Sequence, residues 1–169
     1  MKNLDYKINT VKKSKSILKT KFLFLDIDGV LSLQKEWKTR LKDLRAPFNE
    51  NCSSLLDEFL TKNPEVNLII SSAWRVGKTT KQLQNIFKTR KFKNYNRIID
   101  KTESLESTRG WQILKYCQDN EINLKHIVIL DDEIKDIICF SKLKTKVIEC
   151  NTKDGITSKT ILELKEKLK

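Results

Sequence analysis

The sequence predicts an α/β domain: about five parallel strands in a doubly wound, three-layer sheet with helices on both faces. Three observations lead there. Short runs rich in β-branched and aromatic residues recur at Phe22–Ile27, Val66–Ser71, Arg97–Asp100, Ile127–Leu130 and Lys146–Cys150. Helical periodicity fills the intervals between them. And 169 residues give room for one well-packed core, because domains commonly run to about 100–150 residues.

Taken in order, residues 1–20 carry lysines at 2, 7, 12, 13, 15 and 19 with few large apolar side chains, and read as a basic arm preceding a domain at 21–169. The first strand ends in FLFLDIDGVL, where an apolar run delivers Asp26 and Asp28 to its carboxyl edge. A strand's period of two aims both at one side, so a cation or a shared proton is expected between them. Gly29 allows the sharp turn that follows. Asn49–Thr61 then places Leu55, Leu56, Phe59 and Leu60 on one helical stripe. Thr79–Thr89 does so with Leu83, Ile86 and Phe87, and Thr108–Asp119 with Ile113, Leu114 and Cys117, behind an N-cap at Thr108. A shorter helix starts near Glu133, and a last one follows Ser158 with Ile161, Leu164 and Leu168. In such sheets the ligand crevice lies beyond the carboxyl ends of the strands. Asp26, Asp28, Ser71, Ser72, Asp131 and Asp132 therefore converge on one edge.

Composition narrows the class. Apolar residues at 38% beside 33% charged describe a soluble globular chain. The net charge of +12 produces a positive potential that attracts polyanions such as nucleic acid or acidic headgroups, although lysines spread over a solvated surface account for it equally. Cys52, Cys117, Cys139 and Cys150 lack the spacing of a zinc site or a disulfide framework, and reduced thiols fit a cytoplasmic protein. The apolar run near the N-terminus is cut by Lys19 and Lys21 and ends in aspartates, so no membrane span is expected. VGKTT, Val76–Thr80, is no P-loop, because Ser72 stands where that motif needs a glycine. Instead Thr79 or Thr80 caps a helix, and Lys78 adds positive charge near the crevice. His126 precedes an apolar strand and reads as structural. Trp37, Trp74 and Trp111 either stack on bases or, more simply, pack in the core or its rim.

Several carboxylates in one crevice call for a cation, and hard oxygen ligands without His or Cys favour Mg²⁺. Magnesium in turn implies phosphate. A carboxylate beside Mg²⁺ can attack phosphorus to give an aspartyl-phosphate, while a carboxyl two residues on donates a proton to the leaving oxygen.

Here the sequence resembles a known family. DIDGVL, IISS and ILDDEIKD resemble the first, second and fourth motifs of the haloacid dehalogenase (HAD) superfamily of phosphotransferases. The ordered set IISSAWR, TRGWQI, VILDDE and DGIT is similar to the HAD domain of Swiss Army Knife RNA repair proteins, over roughly residues 21–157. The resemblance implies a HAD-like Rossmannoid fold with Asp26 as nucleophile and metal ligand. Asp28 would be general acid and base, holding the metal through its backbone carbonyl. Ser71, or Ser72 if that is the residue in register, would bind the transferring phosphoryl oxygens. Asp131 and Asp132 would complete the metal site, with Asp136 extending the motif as DDxxxD. The third motif is usually a lysine; its best candidate here is Arg109, at a helix N-terminus where guanidinium and backbone could both face an anion. Gly29 and Lys78 would line the substrate, and Arg75 either touches its phosphate or pairs with an acidic neighbour.

Neither Leu31–Phe48 nor Ala73–Arg109 is long enough for a cap domain of the kind that selects small substrates in this superfamily. An open crevice, positive charge and the resemblance together imply a Mg²⁺-dependent phosphatase acting on phosphorylated RNA or DNA ends, a 3′-phosphate among them, with a repair ligase or kinase as an open partner. The alternatives are a nucleotidase or other small-molecule phosphatase, and a non-catalytic nucleic-acid or protein binding module.

Overall fold

The computed structural model describes residues 20–39, 46–104 and 106–169. The expected basic arm lies outside them apart from Thr20. Five strands form one all-parallel sheet in the order β3-β2-β1-β4-β5: β1 (Lys21–Leu25), β2 (Val66–Ile70), β3 (Ile98–Lys101), β4 (Ile127–Asp131) and β5 (Val147–Glu149). Six α-helices lie among the described residues: α1 (Glu50–Lys62), α2 (Thr80–Thr89), α3 (Arg109–Asp119), α4 (Lys135–Ile138), α5 (Ser141–Lys144) and α6 (Ser158–Lys167). The single short helix expected after Glu133 is two, separated by Cys139 and Phe140. No described helix is long and apolar enough to cross a membrane.

Alternation along the strands explains the layers. Leu23 and Leu25 of β1 face one side with Leu56, Phe59 and Leu60 of α1, Leu83 and Phe87 of α2, and Ile161 and Leu164 of α6. Phe24 faces the other, with Ile113 and Cys117 of α3, Ile137 of α4 and Leu143 of α5. Burying both faces is why the strands read as continuous apolar runs. Each such side chain contributes about 1.5–3 kcal/mol of transfer free energy.

Local signals set the helix starts. Asn49, Thr79, Thr108 and Thr157 each sit in extended backbone and accept a bond from an N–H in the first turn, of Cys52, Gln82, Trp111 and Thr160 respectively. Each cap is worth about 1 kcal/mol. Thr79, not Thr80, therefore starts the helix after Gly77. The DGIT piece works as a clasp on the loop after β1: Ile156 N–H donates to the Val30 carbonyl at 3.1 Å. Gly155 adopts φ +60°, and a Cβ there would stand 2.9 Å from Cys52 Sγ. All four cysteines are free, and only Cys139 is exposed.

No cap domain interrupts the sheet. Residues 26–49 contribute a 3₁₀ turn at Gln34–Lys38 among the described residues, and 76–108 hold only α2, a 3₁₀ turn and β3. Among the described residues no second domain covers the carboxyl edge.

Candidate active site

The site is built where β1, β2 and β4 end. Strand β1 stops at Leu25, and beyond it the chain curls: the Ile27 carbonyl accepts from the N–H groups of Val30, Leu31 and Ser32. Asp26 and Asp28 thus lie beyond the strand and take different partners. Arg109 Nη1 lies 2.8 Å from Asp26 Oδ2, while Trp74 Nε1 donates to Asp28 Oδ2 at 2.8 Å. Beside Asp26 the structure shows a cation of the protein's own, the Arg109 guanidinium. The cation stands between Asp26 and Asp131, for the same Nη1 is 2.5 Å from Asp131 Oδ2.

Asp26, Asp131 and Asp132 each bring a carboxylate oxygen within 4.8 Å of the others. Parallel pairing fixes this approach, since Leu25 is in register with Leu130 and Asp26 N–H donates to the Leu130 carbonyl at 3.0 Å. Asp131 is fully buried, and its other oxygen accepts from Glu133 N–H at 3.0 Å. Burial and then the charge of Asp26 push the Asp131 carboxyl up to about 7 against the pull of Arg109. The same two causes push Asp132 up to about 6. Arg109 moves the opposite way: burial alone would lower its pKa, but Asp26 and Asp131 outweigh it and raise it. Three carboxylates with one guanidinium between them resist full ionisation, and a divalent cation would relieve them.

Gly29 is part of this geometry. It holds φ +71°, and a Cβ built there would strike the Asp132 carboxylate and stand 2.7 Å from its Cβ. The glycine thus lets Asp132 lie against the loop carrying Asp28.

The helix that delivers Arg109 is itself anchored. Its first N–H, that of Arg109, donates to Asp136 Oδ2 at 2.7 Å. Gly110 allows the close approach, since a Cβ would come 2.7 Å from the Asp136 carbonyl. The anion at this helix terminus is therefore the chain's own Asp136, and only the side chain of Arg109 faces the acidic group.

The serines separate as well. Ser71 Oγ is buried without a hydrogen-bond partner, whereas Ser72 Oγ accepts from Trp74 N–H at 3.4 Å. Arg75 turns inward. It donates to the carbonyls of Thr102 (2.9 Å), Ser71 (2.7 Å), Ser72 (2.8 Å) and Glu103 (3.2 Å) and to Gln112 Oε1, the brace of an inner wall. Of the two readings of Arg75, contact with phosphate or pairing with an acid, the bonds favour neither. Lys78 lines a surface hollow of about 610 Å³ with Gly77, Thr79, Lys81 and Gln82, a hollow that includes none of the clustered aspartates. Trp74 is the residue whose part in the site sequence reasoning missed. A buried indole N–H needs an acceptor, and its place three residues after Ser71 was the available signal.

A solved structure shares the fold. A hydrolase of the haloacid dehalogenase-like family from Streptococcus pneumoniae superposes with a TM-score of 0.51 at 12% identity, covering 86% of this chain and 91% of its own. A hypothetical protein from Xanthomonas campestris gives 0.46 at 11% identity, covering 91% and 84%. No curated protein matches the chain. The model of the HAD domain in Swiss Army Knife RNA repair proteins matches residues 22–161, most of the chain and every residue of the acidic group. The chain belongs to this family of HAD domains.

Proposed function

We propose that the domain is a Mg²⁺-dependent phosphatase that works through an aspartyl-phosphate on Asp26 and acts on phosphorylated nucleic-acid ends. The observation that carries the reading is the single Arg109 nitrogen joining Asp26 and Asp131 inside a group of three carboxylates at the strand ends. The donor set fits magnesium: all-oxygen, and spread little more than the roughly 4 Å between opposite ligands of an ion bonded at about 2.0–2.1 Å. Asp26, Asp131 and Asp132 would hold it, with the backbone carbonyl of Asp28. Bound there, the ion would neutralise charge on the phosphoryl oxygens.

The chain's own groups supply the rest. Asp26 attacks phosphorus as the bond to the leaving oxygen breaks, and Asp28 gives that oxygen a proton. Water then attacks the phosphoryl group and returns a proton to Asp28, restoring Asp26. Ser71, whose buried hydroxyl has no partner among the described residues, is the serine that meets the phosphoryl oxygens. Arg109, 2.8 Å from Asp26, places it. Support for a polymeric substrate comes from the family's occurrence in RNA repair proteins, the net charge of +12 and the edge free of a cap. A single-stranded end can reach such an edge, and the net charge of +12 would attract its backbone.

The test measures phosphate release from 3′- and 5′-phosphorylated oligonucleotides, nucleotides and sugar phosphates, with and without Mg²⁺. Release from the oligonucleotides that needs Mg²⁺ and vanishes in Asp26→Asn is expected. Turnover confined to nucleotides or sugars would replace the substrate assignment, and unchanged release by Asp26→Asn would remove the mechanism.

A further inference from the structure

We infer that Trp74 is a positioning residue for Asp28, fixing which carboxyl oxygen delivers the proton to the leaving group. The inference rests on the phosphatase reading above. Its basis is a contact spanning 46 residues of sequence, the 2.8 Å bond from Trp74 Nε1 to Asp28 Oδ2. An indole N–H is a donor only. The oxygen it meets is thereby held as an acceptor, and the proton that Asp28 passes to the leaving oxygen is carried by Oδ1.

The indole is well placed to impose that choice. Trp74 is 1% exposed. The Phe48 ring packs against it at 5.8 Å between centroids, and Phe48 is itself wedged edge-on against Phe87 at 4.8 Å. The Arg90 guanidinium lies over the indole at 4.9 Å and over Phe48 at 5.4 Å, while Arg90 Nε donates to the Ala46 carbonyl at 3.1 Å. A cation over the ring draws electron density from it and strengthens the N–H as a donor. The backbone of Trp74 is pinned too, because its N–H donates to Ser72 Oγ. These contacts hold the indole N–H at a fixed place beside the Asp28 carboxyl.

Two measurements test it. Trp74→Phe keeps the ring and removes the donor. Leaving groups that depart readily as anions need little help from a general acid, whereas poor ones depend on it. On phenyl phosphate the variant should lose about 10- to 100-fold in kcat/KM, which reports departure of the leaving group, a share of the roughly 10²–10⁴ that general acid catalysis supplies, and on 4-nitrophenyl phosphate less than about 3-fold. Equal losses on both esters in an active enzyme would overturn the role of Trp74. Inactivity of the wild-type protein on both esters and on phosphorylated oligonucleotides would instead overturn the phosphatase reading. The second measurement needs no turnover: the indole N–H proton resonance lost in Trp74→Phe should shift upfield in Asp28→Ala, and an unmoved resonance would show that the contact does not exist in solution.

Discussion

Arg75 directs its guanidinium at five neutral oxygens, whereas Arg109 sets a single nitrogen between two carboxylates. Both are largely removed from water at the carboxyl edge of one sheet, and burial acts on both to lower the pKa. For Arg75 nothing reverses it, since the charge of Arg109 pushes the same way and Asp26 offsets only part. For Arg109 the carboxylates prevail. The difference teaches that burial of a cation says little about its work. Neutral acceptors use a guanidinium as scaffolding, whereas carboxylates that must act on a substrate use it as a counter-charge.

The sharpest way to break the comparison is Arg109→Ala. Asp26 and Asp131 would lose the guanidinium that joins them, and Asp26 would lose its placement. A fall in kcat of about 10²–10³ is expected, the size seen when one preorganised electrostatic partner is removed, with far-ultraviolet circular dichroism unchanged. Turnover within a few-fold of wild type would show that the bridging nitrogen has no part in the chemistry.

Arg75→Lys comes next, and it acts on stability. An ammonium has three donors on one atom, so it cannot serve the carbonyls of Thr102, Ser71, Ser72 and Glu103 together with Gln112. Leaving two of these buried acceptors unmet costs about 2–3 kcal/mol, which lowers Tm by roughly 5–10 °C for a chain of this size. A Tm within about 1 °C of wild type would mean the brace is not structural.

How much of this was open to sequence reasoning depends on the range of each interaction. The strands, the helix stripes and the caps at Thr79 and Thr108 are local, and they were legible from periodicity and capping residues. The convergence of Asp26, Asp131 and Asp132 followed from strand ends and the parallel-sheet rule, with no knowledge of side chains. What stayed hidden spans the chain. Nothing near Arg75 announces Thr102 or Gln112, and Asp28 gives no sign of an indole 46 residues away. The end of the first strand at Leu25 was legible, whereas the partners of Asp26 and Asp28 were not, because Arg109 and Trp74 lie far along the chain.

The same substitution at the second arginine sharpens the contrast. Both carboxylates are reached by one nitrogen of Arg109, a task that a single ammonium can perform. Arg109→Lys should therefore keep kcat within about 10-fold of wild type, about 1.4 kcal/mol of barrier or less. Such tolerance also fits the lysine that the third motif usually carries. A loss as large as that of Arg109→Ala would indicate that guanidinium geometry, not charge, is what the site requires.

The smallest expected effect isolates the anchor behind Arg109. Asp136→Asn keeps an oxygen to accept from Arg109 N–H but removes a negative charge from the N-terminus of α3. Loss of a charge–dipole contact of this kind costs about 0.5–1 kcal/mol. The acceptor survives, so α3 should hold its position against α4 and kcat should change by less than about 3-fold, while Tm falls by about 1–4 °C. Asp136→Ala removes the acceptor as well. With Gly110 still allowing the helices to slide, Arg109 would then be free to drift from Asp26, and kcat should fall further than in the asparagine variant at a similar cost in Tm. Equal kcat in the two variants would show that Asp136 supports the fold alone and does not aim Arg109.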